Sequence, residues 1–279
     1  MVQENLLAKY NELQLYLKKL SKVAVAFSGG VDSTFLLYAA KEALGPQAMA
    51  ITVSMGAVPQ AELEEAKAYC QKLGISHEIR VLDEMDIPEF SKNPKDRCYH
   101  CKKALFTEML SVAKSFGIEN LIEGANKDDE GDYRPGMKAV EELQVKSPLR
   151  ELGFTKDEIR ILSKKFGVPT YNKPSFACLA SRVPYGEKIT KEKLSMVENA
   201  EKFLRELGFV QYRVRLHEGK ADGALMARIE LLESDIPKLL KDEIRIKVNN
   251  RLKQLGFSYV TIDIQGFRSG SMNEVLDKK

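Results

Sequence analysis

A doubly wound α/β sheet of parallel strands, followed by a smaller α+β domain, is the fold class that this sequence predicts. Three observations carry it. Over residues 1–170, short apolar runs alternate with helix-length segments whose apolar residues recur every three or four positions. Gly45, Gly74, Gly117 and Gly167 each follow such a segment, where a helix would stop. From residue 190 the order changes to helix, two strands, long helix, strand. Strands that alternate with helices imply parallel βαβ units, and the changed order implies a separate domain.

In order, Leu6, Leu7, Tyr10, Leu13, Leu17 and Leu20 give an amphipathic opening helix over 4–20. Val23-Ala24-Val25-Ala26-Phe27 is almost wholly apolar, as a strand buried on both faces requires. The alternation then predicts helix 33–44, strand 48–53, helix 61–73, strand 77–82, helix 98–116 and strand 120–124. Thr155 and Glu158 have the spacing of a capping box, starting a helix that stops at Gly167 before Pro169. Residues 1–170 are therefore expected to form the first domain. Residues 171–189 carry Pro174, Pro184 and Cys178 with little periodicity and are expected to be an ordered connector, or a loop folded over a site. Residues 190–279 form the second domain, with helix 191–207, strands 212–216 and 224–231, helix 236–255 and strand 259–264.

The composition narrows the class of protein. Of 279 residues, 44% are hydrophobic and 30% charged, which suits a soluble globular chain. Lysine and arginine exceed aspartate and glutamate by 43 − 40 = 3, whereas a dedicated nucleic-acid binder would be more basic. Small anionic substrates fit this balance. No run approaches the ~20 apolar residues of a membrane span, and residues 1–10 lack a signal-type apolar core, so a cytoplasmic protein without membrane attachment is expected. In a reducing compartment the four cysteines, Cys70, Cys98, Cys101 and Cys178, point to metal binding or catalysis over disulfides.

Ser28-Gly29-Gly30-Val31-Asp32-Ser33-Thr34 lies directly between the first strand and the first sheet helix. The two glycines allow a tight turn and close approach to a ligand, while Ser33, Thr34 and the free amides of the helix start can hold phosphate oxygens. Asp32 alone would repel phosphate, so a carboxylate here suggests Mg²⁺ between it and a polyphosphate such as ATP. The kinase-type loop is excluded, because its spacing and its lysine are absent. The plain alternative is an ordinary glycine-rich turn. SGGVDST resembles the pyrophosphate loop of the adenylating ATP pyrophosphatases, which implies an adenine-nucleotide α-hydrolase type of fold and ATP bound by Ser28, Gly29, Gly30, Asp32 and Ser33. Such enzymes let a substrate oxygen attack the α-phosphate and then displace AMP with a nitrogen or sulfur nucleophile. Glu123 to Asp129, with Asn126 and Asp129, resembles the family's second site segment at a strand's C-terminal end, where open α/β sheets bind ligands. Its alternative is a capped polar loop.

Cys98-Tyr99-His100-Cys101 opens a helix, which sets two sulfurs on neighbouring turns within reach of one centre. Helix-start amides with Arg97 and Lys102 would favour thiolates. Cys178 is the candidate third ligand, and three thiolates suit an iron–sulfur cluster with one iron left open to sulfide; redox-inert zinc or two unrelated thiols are the alternatives. Cys70, in a helical pattern, is read as a core residue.

Residues 97–103, Asp132-Tyr133-Arg134-Pro135-Gly136, Ala180-Ser181-Arg182-Val183-Pro184-Tyr185-Gly186, Arg213-Val214-Arg215 and Gly266-Phe267-Arg268-Ser269-Gly270 together resemble the LarE family of sulfur transferases over nearly the whole chain. The resemblance implies conversion of carboxylates of pyridinium-3,5-biscarboxylic acid mononucleotide, a small-molecule partner, into thiocarboxylates for a nickel-pincer cofactor. It places Lys102 and Arg182 beside the reacting carboxylate, and Glu201, Arg213 and Arg215 on phosphate or metal. Arg213 and Arg215 alternate onto one strand face and can present paired guanidinium forks, a solvated strand face being the alternative. Some members sacrifice a single cysteine in the connector, so Cys178 is either that donor or a ligand of a [4Fe–4S] cluster, the ligand role being favoured. A homo-oligomer is expected. The rival readings are an ammonia-using synthetase, for which no glutaminase region is present, a tRNA thiolase, for which a basic RNA-binding module is missing, and a non-catalytic ATP sensor.

Overall fold

The strand β1 (Val23–Ala26) sends Val23 and Val25 into one apolar cluster and Ala24 into another, so the sheet it belongs to is covered on both faces. The computed structural model describes residues 2–129, 135–174, 177–219, 223–268 and 270–274. Asp132, Tyr133, Arg134 and Ser269, which helped to carry the family resemblance, lie outside the described residues.

The chain forms two compact units, Met1–Pro88 with Asp96–Ser175, and Glu89–Lys95 with Phe176–Lys279. In the first, α1 (Val2–Leu20) and α2 (Val31–Leu44) cover one face of the sheet. Strand β2 (Ala48–Ser54), helix α3 (Gln60–Leu73), strand β3 (Ser76–Val81), helix α4 (Arg97–Ser115) and strand β4 (Leu121–Ile122) follow. The strands are all parallel in the order β3-β2-β1-β4, as the alternation predicts. Phe106, Met109 and Val112 of α4 pack against the face opposite α2. β4 is shorter than the predicted 120–124, because after Ile122 the chain leaves the ladder to pair with Lys146 and turn into the site. Helices α5 (Gly136–Glu142) and α6 (Pro148–Glu151) occupy a stretch for which the sequence predicts no element; both are too short for a legible period. Helix α7 (Lys156–Lys165) starts with the predicted capping box, Thr155 accepting from the Glu158 amide and Glu158 from that of Thr155.

In the second unit, α8 (Lys191–Glu206) precedes β5 (Tyr212–Glu218) and β6 (Leu225–Leu231), which pair antiparallel; β7 (Tyr259–Ile262) adds parallel to β6. The predicted helix 236–255 is two helices, α9 (Ile236–Leu240) and α10 (Asp242–Gln254), broken where Lys241 turns extended. Leu239, Val248 and Leu252 keep facing the core across the break, so periodicity alone reads straight through it, while Asp242 and Glu243 open a fresh acidic first turn. Glu89–Lys95 joins this unit through hydrogen bonds: Asn93 donates to the carbonyls of Val183 and Pro184, and its own carbonyl accepts from the Gly186 amide at 2.8 Å.

Candidate active site

The turn from β1 into α2 is shaped by Gly29, whose φ of 71° would resist a side chain. Ser28 and Ser33 hydroxyls stand 3.0 Å apart, and the Thr34 hydroxyl donates to the Gly30 carbonyl at 2.6 Å. Gly124, just past β4, presses so close that a Cβ there would lie 2.8 Å from the Ser33 amide nitrogen. A cavity of about 350 Å³ opens over this junction, lined by Ser28, Gly30, Asp32 and Ser33 and by apolar Val53, Met55, Leu63 and Phe106. Lys102 and Asp129 also line it.

Asp32 is held by a residue that the sequence analysis missed. Lys156, the first residue of α7, donates to Asp32 Oδ2 at 2.5 Å. Asp32 Oδ1 is buried without a hydrogen-bond partner among the described residues. Burial raises the pKa of this carboxyl, against the opposing pull of Lys156. Asn126 and Asp129 close the second segment, the Asn126 amide donating to Asp129 and its side-chain oxygen accepting from Asp128. Lys173 is a second missed residue: it donates to the Gly29 carbonyl at 3.2 Å while paired with Glu62 and Glu65 at 2.7 Å each.

Cys98 and Cys101 lie on the first turns of α4, Cys98 exposed and Cys101 half-buried, with an Arg97 guanidinium nitrogen 3.9 Å from the Cys98 sulfur. Cys70 is buried in the core, and burial lifts its thiol to about 12.

In the second unit, Cys178, Arg182, Glu201, Arg213 and Arg215 are gathered around β5. Arg182 is only 1% exposed. It grips both oxygens of Glu201 at 2.8 Å and donates to the carbonyls of Ala177 and Cys178 at 2.6 and 3.0 Å. Its guanidinium, expected beside a reacting carboxylate, is thus engaged by a protein carboxylate and by the backbone that carries Cys178. Glu201 also accepts from the Val214 amide. Arg215 pairs with Glu230 at 2.9 Å and bonds Ser271, two partners not foreseen from sequence, and Arg213 lies 5.1 Å over the Phe267 ring. Both arginines are buried, since all of Tyr212 to Leu216 is buried on the two faces of β5; the solvated-face alternative does not describe them. Burial, with Arg182 nearby, depresses the Arg213 pKa to about 10.

A glycine turn at the end of a parallel strand, with hydroxyls, helix-start amides, a carboxylate and a lysine around one cavity, defines an α/β enzyme that binds a nucleotide polyphosphate. The PP-loop domain model matches residues 2–130. The chain is 42% identical over 272 residues to an uncharacterized protein of Synechocystis sp., covering 97% of this chain and 99% of the other. It is 38% identical over 263 residues to the pyridinium-3,5-bisthiocarboxylic acid mononucleotide synthase of Lactiplantibacillus plantarum, covering 94% and 92%. Against a glutamine-hydrolyzing GMP synthase of Aeropyrum pernix it is 30% identical over 208 residues, 65% of this chain and 38% of the other. The chain belongs to the LarE family of PP-loop enzymes, which use ATP to adenylate their substrates.

Proposed function

We propose that this enzyme adenylates a carboxylate of pyridinium-3,5-biscarboxylic acid mononucleotide and exchanges it for a thiocarboxylate, in the cytoplasm, with ATP, Mg²⁺ and a [4Fe–4S] cluster as cofactors. The observation that carries this reading is the similarity, over nearly the full length of both chains, to a protein named for the bisthiocarboxylic product. In the first step a carboxylate oxygen attacks the α-phosphorus, the α–β anhydride bond breaks, and its electron pair leaves with pyrophosphate. Sulfide then attacks the acyl carbon and the bond to AMP breaks.

Ser28, Gly29, Gly30, Ser33 and Thr34 would hold the phosphates through hydroxyls and amides. The buried Asp32 carboxylate, with Asn126 and Asp129 beside it, fits a Mg²⁺ ligand; such sites need one or two carboxylates once polyphosphate supplies the rest. Lys102, on the cavity wall, would steady the incoming carboxylate. Arg213 and Arg215, both buried and neighbours on β5, would seat the substrate's phosphate through their guanidinium forks. Arg182 would act as a positioning residue, fixing the backbone of Cys178 from its pair with Glu201. Among the described residues no three cysteine, histidine or carboxylate side chains are gathered as a metal site, and the cluster reading rests on the thiolate chemistry of Cys98, Cys101 and Cys178, which would hold an iron–sulfur cluster able to supply the sulfide.

Iron and acid-labile sulfide analysis of anaerobically purified protein tests the sulfur route. Cys98→Ala, Cys101→Ala and Cys178→Ala should each lose iron and sulfur transfer while pyrophosphate release persists. Iron-free protein that remains active and emerges lighter by one H₂S, with Cys178 as dehydroalanine, would overturn the cluster.

A further inference from the structure

The phosphate loop contains a carboxylate and no cation between Ser28 and Thr34. The fold supplies one from 124 positions away: Lys156 Nζ sits 2.5 Å from Oδ2 of Asp32, which lines the cavity. The root of this lysine is fixed. Its amide donates to Asp128 at 2.7 Å, the capping box pins Thr155 and Glu158, and Lys9 ties Glu158 at 2.6 Å and the Gly153 carbonyl at 2.8 Å. Its head is not fixed in the same way, because a four-carbon stem with a 29% exposed side chain ends, among the described residues, in an ion pair with Asp32. The neighbouring Lys173 is committed to Glu62, Glu65 and the Gly29 carbonyl, and Lys102 lies at the apolar wall, 5.8 Å over the Phe106 ring.

We propose that Lys156 is the phosphate-binding lysine of this loop: it neutralises Asp32 while the cavity is empty and moves its ammonium onto the β-phosphate when ATP and Mg²⁺ arrive. Asp32 would then be free to hold Mg²⁺, and the released ammonium of Lys156 would meet the oxygens that gain charge when the α–β bond breaks. An ion pair thereby serves as a placeholder for the metal–phosphate pair that replaces it. This proposal rests on the reading of the cavity as the ATP site.

Calorimetric titration with inorganic pyrophosphate, and with adenosine as a control for the apolar lining of the cavity, tests it on the full chain. Lys156→Met should weaken pyrophosphate binding roughly 10- to 100-fold, the loss of one charge-assisted hydrogen bond, with adenosine binding within about twofold of wild type. Asp32→Asn, which frees Lys156, should tighten Mg²⁺-free pyrophosphate binding, and adding Lys156→Met should abolish that gain. Unchanged pyrophosphate affinity in Lys156→Met, or a gain in Asp32→Asn that survives loss of the lysine, overturns the proposal while leaving the ATP site intact. Wild-type protein that binds neither probe overturns both.

Discussion

Glu201 occupies the buried stripe of α8, in line with Leu194, Val197 and Leu204, and its carboxylate there accepts from Arg182 and the Val214 amide. A charge on an apolar stripe is the one local sign that a buried ion pair exists, and the sequence shows it, although the partner 19 positions earlier is not written in any local pattern. Breaking such a pair leaves an uncompensated buried guanidinium, at a cost of about 3–5 kcal/mol. Glu201→Ala should therefore lower the urea midpoint of the second unit sharply, whereas removing Lys67 from its exposed pair with Glu64 should leave stability unchanged. Equal effects in urea titrations of the two variants would show that the Arg182–Glu201 pair stabilises nothing. The same distinction explains which site residues were legible. Ser28 to Thr34 declare themselves because loop, turn and helix start are contiguous; Lys156, Lys173 and Glu230 do not, because each reaches its partner through tertiary folding.

At the scale of elements, the capping box at Thr155 announces that a helix starts, and the spacing predicts it; that its first side chain meets Asp32 is a property of the packed unit. β4 shows the converse. Only two residues form its ladder, yet its continuation at Gly124 lies against the start of α2. The obstacle to a side chain there is backbone, the amide nitrogen of Ser33 at 2.8 Å and its Cα at 3.1 Å, which no rotamer change relieves. Gly124→Ala should displace the loop and abolish ATP binding, while Gly117→Ala, open to space but with a φ of 67°, should cost stability without touching affinity. Calorimetry of ATP binding to both variants checks this, and a Gly124→Ala protein with unimpaired affinity would contradict the close approach.

For the whole molecule, the parallel sheet was readable because its central strands are short apolar runs and its helices end on glycine, signals that depend on nothing beyond ten or so residues. The placement of Glu89–Lys95 in the second unit was not, since Asn93 is recruited by carbonyls 90 positions away. The break at Lys241 was hidden for the opposite reason, an apolar period that continues across it. The chemistry itself is a property of the complete chain with its substrate, and it is tested most directly by mass spectrometry of pyridinium-3,5-biscarboxylic acid mononucleotide incubated anaerobically with the wild-type enzyme, ATP, Mg²⁺ and sulfide. The expected product is heavier by the exchange of one oxygen for one sulfur, with AMP and pyrophosphate accumulating in step with it. A substrate unchanged in mass while ATP is cleaved to ADP and phosphate, or AMP formed without sulfur incorporation, would contradict adenylation followed by sulfur transfer.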